Sequence, residues 1–176
     1  LGVVIAAAGY PDSPRKGDTI HGLPPAGDDY HVFHAGTALS GKDVGFYFTT
    51  SNPLAVLDKV ARLTFLASGH VSLEAPKTGQ MAGILFFEDR ATTREFQHFI
   101  TSDDTRMLLG TIYLPKGNLL IDSSKPVADQ SPYTIVVAIR FFLNEGPTMV
   151  LNSNYSSTQV PVPEGLGPNS KTFLAY

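Results

Sequence analysis

The sequence contains no cysteine. That excludes a disulfide framework, a thiolate metal site and a cysteine nucleophile, and it leaves the redox compartment open. Charge is sparse as well: charged residues make up 16% of the 176, against roughly 25% in an ordinary soluble domain. With 13 Lys and Arg against 16 Asp and Glu, the net charge of −3 gives no basic footprint for nucleic acid. Long apolar runs are missing too. The longest, Val3 to Ala8, is far below the roughly 20 residues that a membrane span needs. No basic segment precedes it, as one would in a signal peptide. The first residue is Leu1 rather than methionine, so a fragment or a processed product is expected, with any membrane anchor or secretion signal outside it.

What is present is 43% hydrophobic residues, 16 glycines and 13 prolines. The first figure permits a sizeable core, and the glycine and proline content implies many turns and few long helices. The length fits one domain or two small ones.

The chain reads as two unlike parts. In residues 1–44, Val3-Val4-Ile5-Ala6-Ala7 and His31-Val32-Phe33-His34-Ala35 are short strand candidates, separated by the turn signals Gly9 to Pro14, Lys16-Gly17-Asp18 and Gly22 to Pro25. A strand pair of this size cannot bury a core alone, so this stretch needs a partner. From Gly45 onward, β-branched or aromatic runs recur: Phe46–Phe48, Leu63–Leu66, Val71–Leu73, Ile84–Phe87, Thr111–Leu114, Leu119–Ile121, Ile135–Phe142 and Thr148–Leu151. One helical window, Pro53 to Ala61, follows a capping Asn52.

A weak repeat runs through this second part. Gly83-Ile84-Leu85-Phe86, Gly110-Thr111-Ile112-Tyr113 and Ala138-Ile139-Arg140-Phe141 align at steps of 27 and 28. Secondary strands follow the last two after the turns Lys116-Gly117-Asn118 and Asn144 to Pro147. This rhythm predicts a mainly β chain, a right-handed β-helix-like repeat domain over residues 45–176, with an antiparallel β-sandwich as the alternative. The strand pair of residues 1–44 is expected to pack on its end or to stay loose.

The candidate chemistry is thin. His31 and His34 lie three apart on a strand and so point to opposite faces, which disfavours a shared metal. His21 reads as a packed turn residue. Lys16-Gly17-Asp18 lacks the spacing of a phosphate-binding Walker loop. Glu88, Asp89, Asp103, Asp104, Asp122 and Asp129 would form an acidic face, and glycoside hydrolysis needs two carboxylates about 5 to 9.5 Å apart, one with a raised pKa. These residues sit in turns, where aspartate caps backbone groups by default, so the carbohydrate-processing reading is a secondary one. Asp89 and Arg90 are expected to tie a loop after a buried strand through charge-assisted hydrogen bonds. Of Phe86 and Phe87, alternation buries only one. Phe87, Tyr113 and Phe142 are then an exposed surface for a protein partner. No catalytic, cofactor-binding or metal-ligating residue is expected.

Two family resemblances follow. Val4-Ile5-Ala6-Ala7-Ala8-Gly9-Tyr10-Pro11, Lys16-Gly17-Asp18-Thr19-Ile20-His21-Gly22-Leu23 and Val32-Phe33-His34-Ala35-Gly36-Thr37 resemble the start of the C-terminal domain of phosphoribosylamine–glycine ligases, purine-biosynthesis enzymes of the ATP-grasp superfamily. The nucleotide-binding body of that family is absent, so the resemblance implies an inactive, cytoplasmic ligase fragment. Val71-Ser72-Leu73-Glu74-Ala75-Pro76, Ala82-Gly83-Ile84-Leu85-Phe86-Phe87-Glu88-Asp89-Arg90, Leu109 to Pro115 and Leu151 to Tyr155 resemble the C-terminal region of TadG-like proteins of Tad/Flp pilus assembly. That resemblance implies a non-catalytic structural or interaction domain in the bacterial envelope, with partners in the envelope or pilus machinery. The main expectation is this second one. The transition at Val44–Gly45 reads as a junction: a gene fusion, an engineered chimera or two sequences read as one.

Overall fold

The computed structural model describes residues 38–49, 62–67, 69–91, 95–144, 146 and 148–167. The chain divides into two units, Leu1–His34 and Ala35–Tyr176, and every described residue belongs to the second. The strands expected at Val3–Ala7 and His31–Ala35, the helix window Pro53–Ala61, His21 and Lys16-Gly17-Asp18 all lie outside the described residues.

Eight strands are present among the described residues: β1 (Ala38–Gly41), β2 (Phe46–Phe48), β3 (Thr64–Phe65), β4 (His70–Glu74), β5 (Ile84–Glu88), β6 (Phe96–Ile100), β7 (Asp104–Ile121) and β8 (Thr134–Leu143). A single 3-10 turn, Tyr155–Ser157, is the only helical element among the described residues. All named strand pairs are parallel. The sheet runs β1-β4-β7-β5-β2, with β6 and β8 also paired to β7 and β3 paired to β6.

β7 explains this layout. Its 18 residues pair with β4 through Asp104–Leu109, with β5 through Thr111–Tyr113, with β6 through Gly117–Ile121, and with β8 on both sides of a corner at residues 115–117. Glycine permits the first bend. Gly110 has φ +132°, and a Cβ there would lie 2.6 Å from the Ala75 Cβ. The bends curl the sheet into a half-barrel, whose concave face receives the alternate apolar side chains. Val71 and Leu73 point inward from β4, Phe96 and Ile100 from β6, and Leu119 and Ile121 from β7. Burying each such leucine or isoleucine stabilises the fold by about 1.5–3 kcal/mol.

Two fold expectations are corrected. The right-handed β-helix-like repeat does not form as a series of equivalent coils, because β4, β5, β6 and β8 converge on one long strand. The antiparallel sandwich is overturned by the parallel pairing, the arrangement typical of α/β sheets, although the described crossovers here are irregular chain. The physical reason lies at Lys116-Gly117-Asn118, which reads as a tight turn but keeps strand pairing on both sides. Thr111–Leu114 and Leu119–Ile121 therefore belong to one strand.

The repeat spacing shows the same effect. Ile84 faces Thr111, a step of 27, but Ile112 faces Val136 rather than Arg140. Between Leu114 and Asn118 the corner of β7 holds three residues opposite the single Ile139 of β8. Thr148–Leu151 forms no strand; Met149 makes one isolated bridge to Val127.

Candidate functional site

The strand register lines up three aromatic rings on one face. Tyr47 of β2 sits beside Phe87 of β5, which sits beside Tyr113 of β7. Their rings stack at centroid distances of 5.5 and 5.2 Å, with interplanar angles of 23° and 24°. Each such pair contributes about 0.5–1.5 kcal/mol beyond area burial. Tyr47, at the end of the row, is 55% exposed, while Phe87 and Tyr113 are half-buried. Behind this row Phe86 is buried, flanked by Phe46 at 5.1 Å and Phe48 at 6.0 Å. A register shift between Ile84 and Phe86 buries both Leu85 and Phe86 and leaves Phe87 outward.

Asp89 and Arg90 follow β5 directly, and they hold different partners. The Asp89 carboxylate accepts hydrogen bonds from the Ala91 backbone N–H at 2.9 Å and from the Tyr47 and Thr49 hydroxyls at 3.0 Å each. The Ala91 N–H, then these hydroxyls, hold its carboxyl below the usual range, and the same Asp89 contact pushes the Tyr47 hydroxyl up. Arg90 donates from Nε to the Tyr113 hydroxyl at 2.7 Å and lies 5.4 Å from that ring's centroid. The two residues thus clamp opposite ends of the aromatic row. Phe142 lies apart from it: it faces Leu120 on the far side of β7 and is 42% exposed.

The remaining carboxylates serve as caps and pairs. Asp103 accepts from the Ser124 hydroxyl and backbone N–H at 2.7 Å each, and from Ser123 at 3.2 Å. Asp104 meets His70 Nδ1 at 2.9 Å, Asp122 accepts from Asn144 at 3.1 Å, and Asp129 holds the Arg106 guanidinium with both oxygens. The Ser124 donors lower the Asp103 carboxyl and the Arg106 fork lowers that of Asp129. A general acid needs the opposite shift. Among the described residues no cluster of three or more His, Asp or Glu is placed to hold a metal, and no helix is long and apolar enough to cross a membrane.

Sequence reasoning singled out Phe87, Tyr113, Asp89 and Arg90, which the fold brings together, and Phe142, which it does not. It missed Tyr47, because the sequence does not reveal the β2–β5 register. It also missed β6 and with it His98, fully buried against the equally buried Glu88. The alternation of Phe96, His98 and Ile100 was the available signal.

Comparison with known proteins finds a similarity at the start of the chain. Residues 1–64 match the family described as phosphoribosylglycinamide synthetase, C domain. More particularly, the chain is similar to phosphoribosylamine–glycine ligases: 62% identical over 39 residues to that of Ralstonia nicotianae, 62% over 42 residues to that of Yersinia pestis, and 52% over 42 residues to that of Neisseria meningitidis serogroup A. These alignments cover 22, 23 and 24% of this chain, and 9, 10 and 10% of the relatives. The chain thus spans about a tenth of the length of the curated relatives it matches. No solved structure matches. The family match runs past Val44 and includes β1 and β2.

Proposed function

We propose that residues 1–64 are a segment of the C-terminal domain of a phosphoribosylamine–glycine ligase, inactive by itself and cytoplasmic in origin. The match to that domain family over residues 1–64 carries this reading. Ligation needs a nucleotide site and substrate sites held together in register, and a tenth of the enzyme cannot supply them. A segment exchange tests the proposal. Residues 1–64 replace the corresponding stretch in the Ralstonia nicotianae ligase, and the hybrid's turnover is compared with the parent's. Retained turnover in the hybrid, with none in the present chain, supports it. A folded hybrid that has lost all turnover overturns the segment's assignment, and turnover by the present chain overturns its inactivity.

A second reading concerns residues 45–176, as a non-catalytic structural or protein-interaction domain. One observation favours it: the second half of β8 leaves Ile139, Phe141, Phe142 and Leu143 exposed. The TadG-like resemblance supplies a pilus-assembly and envelope context for this surface. Phe142→Lys is expected to leave the fold's stability within about 0.5 kcal/mol and to weaken association at this strand. Sedimentation of both proteins across a concentration series checks it, and identical association of the two removes Phe142 from the surface.

A further inference from the structure

We propose that Glu88 and His98 form a buried acid-sensitive latch, which holds the segment around Leu63 on the sheet at neutral pH and releases it when a proton is taken up. This goes beyond the ligase and interaction readings and depends on neither.

Both side chains are fully buried. Glu88 Oε2 accepts the Lys116 backbone N–H at 2.9 Å, and His98 Nδ1 accepts the Leu63 backbone N–H at 3.1 Å. A ring nitrogen that accepts a hydrogen bond carries no proton, so the neutral ring bears its proton on Nε2. That Nε2 and Glu88 Oε1 have no hydrogen-bond partner, and they lie 3.8 Å apart. Gly117 closes over them, since a Cβ there would stand 2.6 Å from His98 Nε2. The same tautomer argues against a metal at this place, because Nε2 has no free lone pair to offer.

The proton inventory allows one state in which every donor faces an acceptor, with the ring N–H 3.8 Å from Glu88 Oε1. With Glu88 ionised and His98 neutral, two N–H donors, from Lys116 and from the ring, face two carboxylate oxygens, and Leu63 donates to Nδ1. A proton added to the ring at Nδ1 sets two N–H groups against each other and expels the Leu63 amide. A proton added to Glu88 Oε1 faces the ring N–H, and the conflict clears only if the ring proton moves to Nδ1, which again expels Leu63. Every route for an added proton strands a buried donor, and those routes that put it on the ring do so at Leu63.

Among the described residues the surroundings offer no rival. Phe48 of β2 lies 5.9 Å from the ring and does not titrate. Arg62 before β3, Asp89 after β5, Glu95 before β6 and Lys116 on β7 lie at exposed or half-exposed positions, and Glu95 is engaged by Arg140. Releasing Leu63 loosens β3, whose only strand partner among the described residues is β6.

The test uses the full chain. The imidazole 15N shifts of His98 report its tautomer, and amide exchange reports protection of Leu63 between pH 7.5 and 5. The Nε2–H tautomer is expected at pH 7.5, with a Leu63 protection factor that falls about tenfold or more at pH 5 while β4 amides keep theirs. Glu88→Gln offers one acceptor in place of two, so either the Lys116 or the Leu63 amide is expected to be unprotected at both pH values. An Nδ1–H tautomer at pH 7.5, or Leu63 protection unchanged across the range, overturns the latch. Should the variant fail to fold, the two wild-type measurements decide alone.

Discussion

Tyr133 shows how much one buried hydroxyl can couple folding to solution conditions. Its ring is fully buried, packs 5.3 Å from Tyr155, and donates its hydroxyl hydrogen to the Pro161 carbonyl at 2.6 Å. Desolvation, with the neighbouring Tyr155, pushes its pKa up to about 12 from the ordinary 10.0. The folded chain therefore keeps the neutral phenol while the unfolded chain ionises. Tyr133 contributes this stability fully below pH 10 and loses it progressively as pH rises toward 12. Tyr133→Phe is expected to cost about 1 kcal/mol at neutral pH, from the lost hydrogen bond, and to flatten the alkaline decline. Urea unfolding of both proteins at pH 8, 10 and 11.5 measures the two effects separately.

At the scale of elements, β7 is the part whose behaviour the sequence conveyed least. Its bend at Gly110 gives a sharp expectation. Gly110→Ala forces a left-handed backbone on a residue with a side chain and drives its methyl into Ala75, so a loss of about 2–4 kcal/mol is expected in urea denaturation. A loss under about 0.5 kcal/mol would mean that the bend is not held by this packing. Strands β4, β5 and β8 were legible because Val71-Ser72-Leu73, Ile84 to Phe87 and Ile135 to Phe142 are β-branched or aromatic runs. β1 was not, because Ala38-Leu39-Ser40-Gly41 has weak strand propensity and is held by its pairing with β4. β6 escaped because a histidine fills an inward position. The corner of β7 was misread because Pro115 and Gly117 mark a turn locally, while the neighbours that keep it in the sheet are distant in the chain. At the aromatic row, the residue types were legible but their alignment was not, and Asp89 and Arg90 hold separate partners.

For the whole molecule, the question is how the ligase-like stretch and the remainder share one chain. The expected junction at Val44–Gly45 falls between β1 and β2, and both strands pair within the sheet, with β4 and β5. The connecting loop is fastened too: the Val44 N–H donates to the Glu74 carbonyl at 3.1 Å, Asp43 accepts the Lys77 N–H at 3.1 Å, and Lys42 lies 3.3 Å from Glu74. Cleavage by thermolysin between Val44 and Phe48 is therefore expected to be as slow as cleavage within β4–β7, followed by mass spectrometry of timed digests. Fast cleavage there, with β4–β7 intact, would show that β1 and β2 detach independently of the rest.

The convergence of four strands on β7 also sets an order in time. A ribosome releases a chain from its N-terminal side, so β4, β5 and β6 emerge before the strand that all three pair with. At about 5–20 residues per second, those apolar segments wait several seconds for a template. During that interval Val71, Leu73, Leu85, Phe86 and Ile100 lack the part of the core that β7 supplies. The nascent protein is most vulnerable to aggregation just before residue 121 clears the exit tunnel, and a pause in translation upstream of that point would lengthen the exposure.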